Sequence, residues 1–204
     1  MRNQRLIFAT ANKHKLRELS ELLPGVELRP LPAGVRLPPE DGDSFAEIAL
    51  EKARAAHVAM GEPAVGDDSG IEAMGLGGRP GIHSARYGGP DATDEENLAK
   101  LLLEVAQAGD DRRAAYHCAL ALVADDGSEH VFEARCEGRL IAEPRGEGGF
   151  GYDPAFVPDD TGPDDGRTMS ELSQAEKNEI SHRGHAARLL AQHLGAGEAA
   201  ASGR

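Results

Sequence analysis

The chain has 204 residues, of which 40% are hydrophobic and 28% charged. That length provides for one domain, in one or two lobes, with a sizeable core, and that composition excludes a disordered chain. With 22 Lys and Arg against 35 Asp and Glu, a formal net charge of −13, the surface repels nucleic-acid polymers and anionic lipid, although a small anion can still bind where cations gather.

In chain order, residues 5–10 (Arg-Leu-Ile-Phe-Ala-Thr) predict a short buried strand. The helical spacing of Leu16, Leu19, Leu22 and Leu23 predicts a helix over 12–23, stopped by Pro24-Gly25. A second strand is expected over 26–31, followed by a proline-rich loop to Gly42. Ser44-x-x-Glu47 is a capping-box pattern that opens a helix to about Met60, closed by Gly61. Ala64–Gly66 reads as a short strand ending in Asp67-Asp68-Ser69-Gly70. Residues 75–92, rich in Gly and Pro, are expected to be loop, and Thr93-x-x-Glu96 opens a helix to about Gln107. Residues 114–124 and 130–141 predict two strands joined at Asp126-Gly127, a strong hairpin signal. Residues 142–167 read as irregular, Ser173-x-x-Glu176 caps a short helix, and a last helix is expected over 182–194. Residues 195–204 read as a disordered tail, leaving 1–194 as a single domain. Alternating strands and helices followed by a hairpin predict an α/β fold with a mixed sheet.

Cys118 and Cys136 sit in apolar runs and read as buried hydrophobes, not as a disulfide scaffold or zinc site. No apolar run approaches the roughly 18 residues that a membrane helix needs. The apolar stretch at the N-terminus ends at Lys13, too soon for a signal peptide. A soluble, cytoplasmic protein with no membrane partner is the expectation.

Several segments carry polar chemistry. Thr10-Ala11-Asn12-Lys13-His14-Lys15 stands where a strand meets a helix N-terminus, which favours an anion, although the segment taken alone reads first as an Asn N-cap with solvated lysines. Asp67 and Asp68, with Glu40 and Asp41 arriving on the proline-rich loop, place acids together that repel unless compensated. Mg²⁺ is the natural compensator, and acidic turn chemistry is the alternative. Lys52 shares a helical stripe with Phe45, Ile48 and Ala49, which predicts either a buried cation with an anionic partner or a snorkelling side chain. Gly146–Pro154 matches G-x-G-x-x-G, but Pro154 and the surrounding glycines forbid the helix that a dinucleotide fingerprint must open. Phe150, Tyr152 and Phe156 in that stretch suit either stacking on a nucleobase or anchoring the loop in a core. In Glu176-Lys177-Asn178-x-x-Ser181-His182-Arg183-Gly184-His185, Lys177 and Arg183 are candidate donors to a phosphate or carbonyl, or solvated helix charges. His182 and His185 lack a third soft ligand for a metal.

Taken together, these segments and Gly78-x-Pro80-Gly81-x-x-Ser84-Ala85-Arg86-Tyr87 occur in an order that resembles the inosine/xanthosine triphosphate pyrophosphatase family over roughly Leu6 to Leu194. The resemblance implies an elongated mixed β-sheet flanked by helices, in two lobes with a nucleotide cleft between them. It implies a Mg²⁺-dependent homodimer that cleaves the α–β phosphoanhydride bond of ITP, dITP or XTP, giving the monophosphate and pyrophosphate. Carried over by motif, Thr10, Ala11, Asn12, Lys13, His14 and Lys15 hold the triphosphate. Asp68 is catalytic base and metal ligand, Glu40 the second ligand with Asp41 as fallback, and Ser69 a substrate contact. Phe150, Gly151, Tyr152, Asp153, Lys177, His182 and Arg183 surround the nucleotide, and Lys52 offsets phosphate charge. Ser170 stands where the family commonly has alanine, and the acidic stretch 159–166 is longer than usual.

Selectivity is expected from Arg183, which can only donate hydrogen bonds and so favours the C6 carbonyl of hypoxanthine or xanthine over the amine of adenine. A pyrophosphatase of modified pyrimidines and a non-catalytic nucleotide-binding protein are the other readings, separated by substrate panel and by pyrophosphate release.

Overall fold

Six strands form one mixed sheet in the order β2-β1-β3-β4-β5-β6. The structure, a computed structural model, describes residues 4–109 and 111–202, apart from the side chains of 196–202. β1 (Gln4–Ala9) pairs in parallel with β2 (Val26–Pro30) and β3 (Ala64–Ala73), and its Leu6–Ala9 stretch is buried, as a strand covered on both faces must be. β4 (Arg113–Val123) and β5 (Glu129–Leu140) meet at the predicted Asp-Gly turn, where Gly127 takes φ +79° and its N–H donates to the Ala124 carbonyl. β6 (Phe156–Pro158) closes the sheet antiparallel to β5.

The helices are α1 (Lys13–Leu22), α2 (Phe45–Met60), α3 (Asp94–Ala108), α4 (Gln174–Ile180) and α5 (His182–Ser202). Their starts follow the capping chemistry read from the sequence. Thr93 with Glu96 and Ser173 with Glu176 form reciprocal boxes. Ser44 accepts from the Glu47 N–H, but the Glu47 carboxylate turns back one residue further, to the Asp43 N–H. Gly61 ends α2 in the left-handed conformation, φ +63°. Among the described residues no helix is long and apolar enough to cross a membrane.

The chain divides into two compact units, Met1–Asp68 with Cys118–Ala134 and Arg183–Arg204, and Ser69–His117 with Arg135–His182. The first has a largely aliphatic core, around Leu6, Leu19, Leu120 and Leu190, that includes Phe8. The second is built around Ile71, Leu101, Leu140, Phe156 and Met169, with Tyr116 and Tyr152 in the same cluster. Both cysteines are buried, as expected.

Three elements differ from expectation. β3 runs through Asp67-Asp68-Ser69-Gly70 instead of ending before it, because both carboxylates find cationic partners. Gly66 marks the point where α2 crosses that strand: a Cβ there would lie 2.0 Å from the Ala49 carbonyl oxygen. β6 lies within the stretch expected to be irregular, its three residues all buried. α5 continues past Leu194 to Ser202, since Ala196, Ala199, Ala200 and Ala201 have the strongest helix propensity. Residues 203–204 of the expected tail lie outside the described residues.

Ser170 carries a testable consequence. Its hydroxyl is buried without a hydrogen-bond partner beneath the backbone of Gly146 and Gly148. Ser170→Ala removes an unsatisfied polar atom, and we expect about 1 kcal/mol of added stability, read as a rise of about 3 °C in Tm.

Candidate active site

Neighbouring side chains on a strand point to opposite faces of the sheet, and on β3 this separates two adjacent acids into different environments. Asp67 meets the cations of α1 and α5. Its side chain is fully buried, Arg183 donates from Nε to Oδ2 at 2.9 Å and from NH2 to Oδ1 at 3.4 Å, and Lys15 forms an ion pair with Oδ1. Arg183 NH1 donates to Glu18 at 2.7 Å, and the Cys118 thiol donates to Asp67 Oδ2 at 3.7 Å. Burial would raise the Asp67 pKa, but Arg183 and Lys15 outweigh it and hold the carboxyl far below the carboxylate range. The Cys118 thiol is pushed well up by burial and by Asp67, so it stays protonated.

Asp68 meets α2 instead. Lys52, 5% exposed, donates to Asp68 Oδ1 at 2.8 Å and pairs with Glu40 at 2.5 Å. Of the two readings of Lys52, the buried cation with anionic partners holds. Burial opposes its charge, yet Asp68 and Glu40 more than offset this and its pKa is raised. For Asp68 the balance goes the other way. Burial raises its pKa more than Lys52 and Lys15 lower it. One strand thus carries a permanently ionised acid beside one with raised proton affinity.

At the start of α1, Asn12 Oδ1 accepts from the N–H groups of His14 (2.9 Å) and Lys15 (3.2 Å), and Thr10 Oγ1 accepts from the Asn12 N–H at 3.1 Å. The cap therefore already engages the backbone donors that an anion would use, leaving side chains to hold it. Ala11, Lys13 and His14 are exposed there.

In the second unit Asp153, 3% exposed, is the hub. Its Oδ1 accepts from the Tyr116 hydroxyl at 3.0 Å, and its Oδ2 from Lys177 Nζ at 2.8 Å and the Phe150 N–H at 3.0 Å. Lys177 Nζ stands 5.0 Å from the centre of the Phe150 ring. The Gly151 N–H donates to Asp94. His182 is buried and stacks on Tyr116 with centroids 4.6 Å apart and planes 5° from parallel. Ser69 is half-buried on β3.

Arg183, expected at the base, is 2% exposed and donates to Asp67 and Glu18 of its own unit. Tyr152, expected at the nucleotide, lies in the core and its hydroxyl donates to the Ser84 carbonyl at 2.7 Å. Of the loop aromatics, Tyr152 and Phe156 are core anchors and Phe150 alone is left partly exposed. Asp41 is exposed, while Glu40 reaches Lys52, so Glu40 keeps its place as candidate ligand. Glu18 and Tyr116 carry no sequence signal beyond an acid one turn from Lys15 and an aromatic in an apolar run.

Glu40 and Asp68 bring two hard oxygen donors to one point, where Lys52 now supplies the positive charge. Among the described residues no three His, Cys, Asp or Glu side chains are arranged to hold a metal. Two carboxylates with water and phosphate oxygens completing the shell match the coordination habit of Mg²⁺, so this donor set fits it.

The mixed sheet and its flanking helices define an α/β protein with buried acids paired to amines. The chain belongs to the Ham1 family, whose profile matches residues 6–193. A dITP/XTP pyrophosphatase of Geobacter sulfurreducens is 44% identical over 197 residues, covering 94% of this chain and 96% of that protein. A Ham1 protein of Coxiella burnetii has a similar structure, with TM-score 0.83, 39% identity and coverage of 94% and 98%. A nucleoside-triphosphatase, dITP/XTP pyrophosphatase, of Mycobacterium abscessus superposes with TM-score 0.71, 40% identity and coverage of 94% and 100%.

Proposed function

We propose that this chain hydrolyses non-standard purine nucleoside triphosphates, ITP, dITP and XTP, to the monophosphate and pyrophosphate. The observation that carries the proposal is the Glu40–Lys52–Asp68 group, in which buried Lys52 joins buried Asp68 to the partly exposed Glu40 in the same unit as Lys15. The names of the relatives support it. Lys13, Lys15 and Lys52 offset the charge of the triphosphate in an otherwise acidic protein, with Thr10, Asn12 and His14 beside them. Asp68, a carboxylate with raised proton affinity, is the group of this cluster best matched to orient a water and accept its proton. Glu40 and Asp68 would hold Mg²⁺, which when bound neutralises charge on the anhydride and on the departing pyrophosphate.

For the base, Phe150 offers a ring face, and Lys177, a donor only that also binds Asp153, stands 5.0 Å from its centre. Donation to the C6 carbonyl of hypoxanthine or xanthine would leave the amine of adenine mismatched. The enzyme would act on the cytoplasmic nucleotide pool, as the homodimer that the family resemblance implies.

The test is pyrophosphate release from ITP, dITP, XTP, GTP, ATP and a modified pyrimidine triphosphate, with magnesium and with a chelator. Turnover of ITP and XTP at least about tenfold above ATP, abolished by chelation, is expected. Equal rates for ITP and ATP would remove the Lys177 argument, and preference for the pyrimidine would overturn the purine assignment.

A further inference from the structure

Given the function proposed above, we infer that Tyr116 is a positioning residue for base recognition. It touches two members of the base-facing group at once. Its hydroxyl donates to Asp153 Oδ1 at 3.0 Å, while its ring lies parallel to the imidazole of His182. A third contact fixes the ring itself: Phe156, fully buried, meets it edge-on with centroids 4.8 Å apart.

The hydroxyl acts through the Asp153 hub. Asp153 Oδ2 already accepts from Lys177 Nζ and from the Phe150 N–H. One oxygen therefore sets the amine that reads the base and the loop that carries the stacking ring, and Tyr116 locks the rotation of that carboxylate from its other oxygen. Burial first, and then Asp153, push the hydroxyl well above the ordinary phenol range, so it remains a donor. Tyr116, 7% exposed, acts on the base through its contacts with Asp153 and His182, so its effect is one of orientation.

Tyr116→Phe keeps the stack on His182 and the edge contact with Phe156 and deletes only the hydroxyl. Steady-state kinetics with ITP should show KM raised about tenfold, the scale of one hydrogen bond to a charged group, with kcat falling less than about threefold. Inorganic tripolyphosphate, which has no base, serves as a competitive inhibitor. Its Ki should be the same for wild type and variant. An unaltered KM for ITP would overturn the inference alone, as would a tripolyphosphate Ki that rises in step with KM. A wild-type enzyme that leaves ITP intact would overturn the proposed function and this inference with it.

Discussion

Asp68→Asn is expected to lower kcat for ITP at least about 100-fold, the lower range for a positioned base, while Tm stays level or rises. The two halves of this result have one cause. Burial raises the pKa of Asp68 in the folded protein despite Lys52 and Lys15. For an acid whose folded pKa lies above its unfolded value, the ionised form costs stability at neutral pH, and that cost disappears as pH falls through the raised pKa. Asparagine removes the cost and the proton acceptor together. Lys52 is not orphaned in the variant, because Glu40 stays paired with it at 2.5 Å. The same shift sets the acid limb of kcat/KM in the wild type above the ordinary aspartate value of 3.8. Thermal melts beside steady-state kinetics check both halves, and near-normal turnover in a folded variant would refute the base assignment.

Asp67→Asn should do the reverse and cost stability. Asp67 carries two cations in a fully buried position, and Arg183 in turn holds Glu18. Removing one partner of a buried ion pair leaves uncompensated charge, at a cost of about 3–5 kcal/mol. For a chain of this size that corresponds to a Tm lower by about 10 °C. The sign with pH is also opposite to that of Asp68. A depressed folded pKa stabilises fully above the unfolded value of 3.8 and loses its contribution only as pH falls below it. The stability gap between wild type and variant should therefore be constant from pH 5 to pH 8. A gap under about 1 kcal/mol across that range would show that the network carries little.

The local signals in the chain proved the most legible. Capping residues Asn12, Ser44, Thr93 and Ser173 placed four helix starts, and Asp126-Gly127 placed the hairpin, because each acts through groups a few residues away. What depends on distant partners was harder to read. Asp67-Asp68-Ser69-Gly70 has the composition of a turn, and only Lys15, Lys52 and Arg183, brought in by three helices, make it part of a strand. Arg183 lies 116 residues from Asp67, and nothing near it in sequence distinguishes a carboxylate anchor from a base contact. Tyr116 is a similar case: in an apolar strand it reads as core, and its hydroxyl matters only because Asp153 folds beneath it. Lys52 was intermediate, since its stripe predicted burial and the two acids decided its partners.

Phosphorus NMR of ITP turning over with magnesium tests the central claim most directly, because it identifies the bond that breaks. Growth of IMP and pyrophosphate signals in equal amounts, with no IDP at any time, is the result predicted for this site. IDP and orthophosphate as first products would contradict it.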